Sequence, residues 1–355
     1  MPIRIRSLFS VLGVAVVSTS LLTVASLLAP PAAQAADDDV TWSVRTASNQ
    51  LGAERTDFTY TLNPGGTIDD GLVVANRGST PLDLSVYVAD GFTTDGGQFD
   101  VLAAGEQSVG LGDWVQANVD HITVKAGTTV TVGFTLTVPK NATPGDYAGG
   151  IVTSLTQPDD AFGVNVDRRL GIRMNLRVGG DLAPALAVED VQVAWDGGLN
   201  PFIGGDADVS YTLHNTGNTV LSAKDAASVA GPFGWIAKSA GEIDVLPALL
   251  PGETWTQHVR VTGVAPLVLL TGTATVTPIV TDASGTTSAL SPVTGSATGW
   301  AVPWVLLVVL VLVVAAIVLA PRMVRWRRRT RRAREDARVQ AAVAQALAHA
   351  DTAAE

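Results

Sequence analysis

The chain has 355 residues, of which 47% are hydrophobic, 16% are charged and none is cysteine. Thiol nucleophiles, thiolate metal sites and disulfides are therefore excluded, and any exported part must hold together through its hydrophobic core. The charge is unevenly placed: residues 36–299 carry 29 Asp/Glu against 12 Lys/Arg, a balance of about −17 that argues against nucleic acid or anionic lipid as partners, whereas the segment after Ala320 is basic.

Residues 1–35 read as a signal peptide. Arg4 and Arg6 precede an apolar stretch from Leu8 to Leu28, and Ala33-Gln34-Ala35 supplies the small-x-small pattern that a signal peptidase cuts. A retained anchor is the competing reading, but Ser18-Thr19-Ser20 and Pro30-Pro31 interrupt the run.

From Val40 to Leu290 short alternating segments are punctuated by Gly, Asn, Asp and Pro, a pattern that predicts an all-β ectodomain. Strands are expected over Thr41–Val44, Phe58–Leu62, Thr67–Ala75, Leu82–Ala89, His121–Val124, Thr128–Val138, Tyr147–Thr156 and Gly163–Val178, with turns at Asn63–Gly66, Asn76–Gly78 and Lys125–Gly127. That number and spacing predict an immunoglobulin-like β-sandwich over residues 36–180. The segment from Pro139 to Tyr147 joins two strong strands and enters the second at a tyrosine, the setting of a tyrosine corner; an ordinary polar loop is the alternative. Gly180-Asp181 reads as a short hinge to a second sandwich over residues 181–290, with strands at Ala185–Trp195, Ala207–Asn215, Val220–Ala223, Thr254–Thr262 and Gly272–Thr281, and a turn at Asn215–Asn218 in which Gly217 is expected at positive φ.

Asp282–Gly299, rich in Ser, Thr and Gly, is expected to be a flexible stalk, with its last part at residues 291–299. Trp300–Ala320 lacks any charge and has Pro303 as its sole breaker; its 21 residues would span about 31 Å as a helix, the thickness of a bilayer core. Trp300 and Trp304 are placed on one helix face at the outer boundary and Trp326 at the inner one. Eight arginines between Arg322 and Arg334 flank this transmembrane helix on its C-terminal side, which predicts a cytoplasmic tail over residues 321–355 and an extracellular body, a single-pass plasma-membrane topology. The same arginines as a nucleic-acid site fit less well beside a membrane span. Within the tail, Val339, Val343 and Leu347 recur every four residues and predict a helix with a thin apolar stripe. Ser291-Pro-Val-Thr-Gly295 resembles a sortase signal but lacks its leading leucine, so the retained helix is the expected anchor.

Three segments carry a family resemblance: Gly71-Leu-Val-Val-Ala-Asn-Arg-Gly78, Val138-Pro-Lys-Asn-Ala-Thr-Pro-Gly-Asp-Tyr-Ala-Gly-Gly-Ile-Val152 and Arg169-Leu-Gly-Ile-Arg-Met-Asn-Leu-Arg-Val178. Over residues 40–180 the chain resembles the peptidoglycan-binding domain of WxL-interacting proteins, in a high-GC, actinobacterial form. The resemblance implies a wall-binding first domain and a second domain that meets a secreted WxL-type protein or a host surface protein. It supplies no residue of a glycan site, so the ligand-binding residues stay unassigned.

No catalytic, metal or cofactor site emerges from the motifs. His121, His214 and His258 stand apart and outside any hydrolase pattern, and read as ordinary surface or core residues. Asp37–Asp39, Asp69-Asp70 and Asp159-Asp160 offer oxygen ligands for calcium but lack the alternating loop, so solvated acids are the plainer reading. Trp42, Trp114, Trp195, Trp235 and Trp255 could stack on sugar rings, but most are expected in core or strand-edge packing and about one in a functional role. The expected function is that of a non-enzymatic envelope protein that binds peptidoglycan or another wall polymer and a protein partner. The alternative is an adhesion module or surface assembly chaperone without wall binding.

Overall fold

In the computed structural model, residues 41–159, 164–197, 204–282 and 285–352 are described. The signal-peptide segment and Asp37–Asp39 lie outside them, as does Asp160. The first domain runs through β1 (Trp42–Thr46), β2 (Phe58–Leu62), β3 (Thr67–Asn76), β4 (Leu82–Thr93), β5 (Phe99–Val101), the one-turn helix α1 (Leu111–Trp114), β6 (Val115–Ala117), β7 (His121–Val124), β8 (Thr129–Thr137), β9 (Gly145–Asp159) and β10 (Val164–Val178). One sheet has the order β1-β3-β8-β6; the other has the order β2-β10-β9-β4-β5, with β7 also on β4. Alternation drives this packing. In β10 the even positions Ile172, Met174, Leu176 and Val178 are buried, and the odd positions Arg169, Gly171, Arg173, Asn175 and Arg177 occupy the opposite, outer face. Between the sheets Phe58 meets Phe134 edge to face at 5.0 Å, among Leu72, Leu84, Leu136, Ile151, Met174 and Leu176.

Among the described residues, Asp70 is the charged side chain inside this sandwich. The Asp70 side chain is fully buried and accepts hydrogen bonds from Arg55 (2.6 and 2.9 Å), Tyr60 Oη (2.6 Å), Asn49 Nδ2 (2.7 Å) and the Gly71 N–H (2.8 Å). Burial alone would raise the Asp70 carboxyl, but the hydrogen bonds from Arg55, Tyr60, Gly71 and Asn49 outweigh it and hold the group below the usual carboxylate range. Burial, reinforced by Asp70, pushes the Tyr60 hydroxyl up.

The second domain comprises β11 (Leu186–Asp196), β12 (Gly205–Asn215), β13 (Leu221–Ala230), a 3-10 turn at Pro232–Gly234, β14 (Lys238–Ser239), β15 (Thr254–Val264), β16 (Val268–Thr281), β17 (Thr287–Ala289) and β18 (Val293–Ala301). Sheet β11-β12-β15 faces sheet β14-β13-β16-β17, with β18 paired to β16. Val209, Tyr211, Leu213, Val261, Leu270, Ala274 and Val276 fill the space between them. Two immunoglobulin-like sandwiches in tandem are thus present, as the alternation predicts.

Both sandwiches turn on the same five-residue device, Asn76-Arg-Gly-Ser-Thr80 and Asn215-Thr-Gly-Asn-Thr219. Each asparagine is buried and donates from Nδ2 to two carbonyls, those of Thr80 and Val124 or of Thr219 and Leu249, while its Oδ1 accepts the N–H of Gly78 or Gly217. Asn76→Ala leaves these backbone groups without partners in a dry site. An expected loss of about 2–3 kcal/mol would appear as a lower urea midpoint with unchanged slope. Gly217 is not at positive φ, contrary to expectation: a Cβ there would sit 2.5 Å from Ala185 N and 2.6 Å from Ala183 O, so close backbone approach is what calls for glycine.

The expected stalk is also corrected. Thr287–Ala289 and Val293–Ala301 are strands, and Ala301 is fully buried in the second core. Small residues fit here because β18 lies against β11, where a Cβ on Gly299 would meet Val193 O at 2.3 Å. The second domain therefore extends to Ala301, and the Ser291–Gly295 segment runs into β18. Trp300 lies in that strand opposite Leu269, not on a helix face with Trp304. Helix α2 (Trp304–Thr352) follows after Val302-Pro303 and continues through Pro321 into the basic tail. By length and composition it is a candidate membrane span.

The hinge is bridged on both sides. Asn218 Nδ2 donates to Pro144 O (2.9 Å) and Asp181 O (3.0 Å), and the Asp146 N–H donates to Asn218 O (2.8 Å). The Asp146 carboxylate accepts from Arg177 Nε (2.6 Å) and Nη2 (2.8 Å) and from the Val220 N–H (2.9 Å). Opposite, Glu253 accepts from the Thr93 N–H and hydroxyl, each at 2.7 Å.

Candidate functional site: the basic face and open edge of strand β10

Twelve Lys/Arg serve residues 36–299, and Arg168, Arg169, Arg173 and Arg177 all fall on β10. Arg177 is spent on Asp146, but Arg169 and Arg173 line a groove of about 250 Å³ with Phe99, Asp100, Val101, Gly150, Val152, Gly171 and Ile172. Its floor needs glycine, since a Cβ on Gly171 would lie 2.9 Å from Ile151 O and one on Gly150 3.0 Å from Val101 Cγ1.

The two arginines differ electrostatically. Arg169 is held charged by Tyr87 and by Asp100, whose Oδ2 is 3.8 Å from Nη2. Arg173 stacks on the Phe99 ring at 4.1 Å and donates from Nε to Asn175 Oδ1 at 2.9 Å, yet among the described residues it has no carboxylate within ion-pair distance. Burial pulls its guanidinium below the usual range, opposed only by the fields of Asp57 and Glu253. A half-buried cation in that state is set up to take an anionic group bidentately.

Beside the groove β10 has an open edge. It is 15 residues long and pairs with β9 along its whole length, whereas β2 covers only Met174–Val178 on the other side. Among the described residues, Val164–Arg173 therefore has a strand neighbour on one side only.

The tyrosine corner is present: Tyr147 Oη donates to Thr143 O at 2.9 Å, and its ring packs on Trp114 at 4.5 Å. A cleft of about 530 Å³ beside it, between the domains, includes Asp90 and Glu253 in its wall, whose carboxylates are already spent on N–H groups and Thr93. The three histidines are not brought together. His121 and His258 are exposed on β7 and β15, and His214 Nδ1 lies 3.3 Å from Glu189 Oε1. Asp69 is solvated and bonded to Thr135, Asp70 is the buried ion-pair partner, and Asp159 closes β9. Trp42, Trp114, Trp195 and Trp255 pack in or against the cores, and Trp235 is 65% exposed. The arginine periodicity of β10 was visible in the sequence. The pairing of β2 with only Met174–Val178, which leaves the edge open, was not, since it depends on tertiary register.

No family model matches the chain, and no curated protein does either. Among solved structures it is similar to a chaperone–tip adhesin complex of CFA/I fimbriae biogenesis, with 8% identity, a TM-score of 0.36, and coverage of 71% of this chain and 100% of that one. The Salmonella enterica SafA pilin in complex with the SafB chaperone gives 12%, 0.31, 72% and 96%. A PapD-like domain of human CEP192 gives 13%, 0.26, 43% and 94%. At these values no residue role is carried over from any of them.

Proposed function

We propose that the chain is a non-enzymatic envelope surface protein, held by α2 with both sandwiches outside the cell, that engages an exported protein by strand addition along Val164–Arg173. The carrying observation is the one-sided pairing of that edge. An added strand would gain main-chain hydrogen bonds along β10, and its acidic side chains or terminal carboxylate would meet Arg173 and Arg169. The surrounding negative charge favours a partner whose acidic groups are confined to that strip. The eight arginines after the helix support the inside placement of the tail.

A second reading keeps the wall polymer of the WxL-interacting family as ligand. It is favoured by one observation: two segments that carry the resemblance supply Gly150, Val152, Arg169, Gly171 and Arg173 to the groove, where the free carboxylates of a wall peptide would find the same cation.

A photo-cross-linking phenylalanine derivative at Leu170, which is 39% exposed at the open edge, separates the two in intact cells. Strand capture gives a discrete protein adduct that Arg173→Glu abolishes. An adduct whose mass shifts on muramidase treatment selects the wall polymer, and absence of any adduct sinks both.

A further inference from the structure

Five large apolar side chains gather without cover where the second sandwich meets the helix. Phe233, Trp235 and Ile236 are 92%, 65% and 59% exposed in the loop after β13, and Val268 and Trp300 are 50% and 72% exposed at the adjoining ends of β16 and β18. Strand pairing fixes their shared location. Val268 lies opposite Ala301 and Leu269 opposite Trp300, while Ala230, the last residue of β13, pairs with Thr271 three residues further along β16. The loop then continues in the direction of Val268, since the Cβ position of Gly231 falls 2.2 Å from Leu267 Cδ1. All five thus sit at the end of the domain from which α2 departs, after only Val302-Pro303.

The loop is built to hold these groups outward. The Gly231 N–H donates to Trp235 O at 2.8 Å and closes it, with the Phe233 and Trp235 rings 5.8 Å apart. Phe233, Ile236 and Val268 have φ of 59°, 51° and 71°, a left-handed conformation that bulky and β-branched residues adopt only under strain. Residues 230–237 and 264–269 contain no charge. Strain that displays aromatic side chains, rather than burying them in a core with room for small residues, needs an apolar environment as its compensation.

We propose that this end of the second sandwich is a membrane-seating surface: Phe233, Trp235 and Ile236, with Val268 and Trp300, enter the headgroup–acyl boundary of the bilayer that α2 crosses. The inference rests on the anchor reading of α2, which brings the surface to the lipid; aromatic rings prefer that level of the bilayer. The uncharged loop suits a zwitterionic surface, whereas the acidic remainder of the domain stays in water.

The chain has no cysteine, so a thiol introduced by Phe233→Cys takes a single nitrobenzoxadiazole label on the full chain, reconstituted in phosphatidylcholine vesicles. Val245→Cys, at a site 94% exposed in the loop between β14 and β15, is the aqueous reference, and Leu312→Cys reports on the helix. Seating predicts quenching at position 233 by lipids carrying a shallow nitroxide and iodide quenching roughly fivefold lower than at 245. Equal iodide quenching at 233 and 245 overturns it. Protection from iodide without nitroxide quenching also overturns it, and assigns the surface to a protein or a second copy. A label at 312 that a nitroxide deep in the acyl chains fails to quench removes the anchor and the seating together, whereas a 312 quenched by the deep nitroxide with a 233 insensitive to the shallow one removes the seating alone.

Discussion

Asp70→Ala is expected to destabilise the first sandwich by about 3–5 kcal/mol, the cost of stripping one partner from a buried pair. Without the carboxylate, Arg55 loses both short contacts and keeps Ala47 O, at 2.9 Å, and the face of the Phe58 ring, at 5.5 Å, while Tyr60 Oη and Asn49 lose their acceptor. Urea unfolding of the full chain in detergent, followed by tryptophan emission, reads the loss through Trp42 and Trp114, which pack in this domain. The pH dependence has a definite sign. Since the folded Asp70 carboxyl lies below its unfolded value, its stabilisation is complete above about pH 4 and is lost as the pH falls through the folded value. The wild type should therefore weaken in that acid window, and Asp70→Ala should lack that component. A variant that unfolds at the wild-type urea concentration would show that the network carries no stability.

Asp146→Ala acts at the junction and is expected to cost about 2–4 kcal/mol. The Asp146 side chain is 9% exposed, and its loss frees Arg177 and leaves the Val220 N–H without an acceptor. Because Asp146 follows the first domain's crossover loop and Val220 immediately precedes β13, the damage falls on coupling more than on either core. Thermal unfolding should split into two transitions, and small-angle scattering should show a wider spread of maximum dimensions. One unbroken transition at an unchanged temperature would mean that the Asn218 and Glu253 bridges suffice alone.

Strand alternation made most of this architecture legible. Phe58–Leu62 and His121–Val124 fall where the sequence places them, because each is bounded by turn residues and alternates cleanly. Short pieces such as Phe99–Val101 and Val115–Ala117 escaped, since three residues carry no period and their pairing with β4 and β8 is decided by tertiary contact. Val293–Ala301 was misread for a different reason. Its Gly, Ser, Thr and Ala mimic a linker, but they are small because β11 lies against them. Tyr147 was legible from its loop, whereas the open edge of β10 depends on the register at which β2 pairs with it, Phe58 opposite Met174, which no local pattern records. The WxL-interacting resemblance stands as a proposal resting on its three segments.

The direct passage from β18 into α2 governs how the molecule bears load. With α2 anchored in a bilayer as proposed, a pull on the first domain enters the second sandwich at Leu186, at one end, and is resisted beyond Ala301 at the other, so the line of force runs along the strands. Nine paired positions between β16 and β18 then resist in shear, all at once rather than one after another. Only Val302-Pro303 separates β18 from α2, so under that anchoring tension on the first sandwich passes to the helix with no slack segment to stretch first.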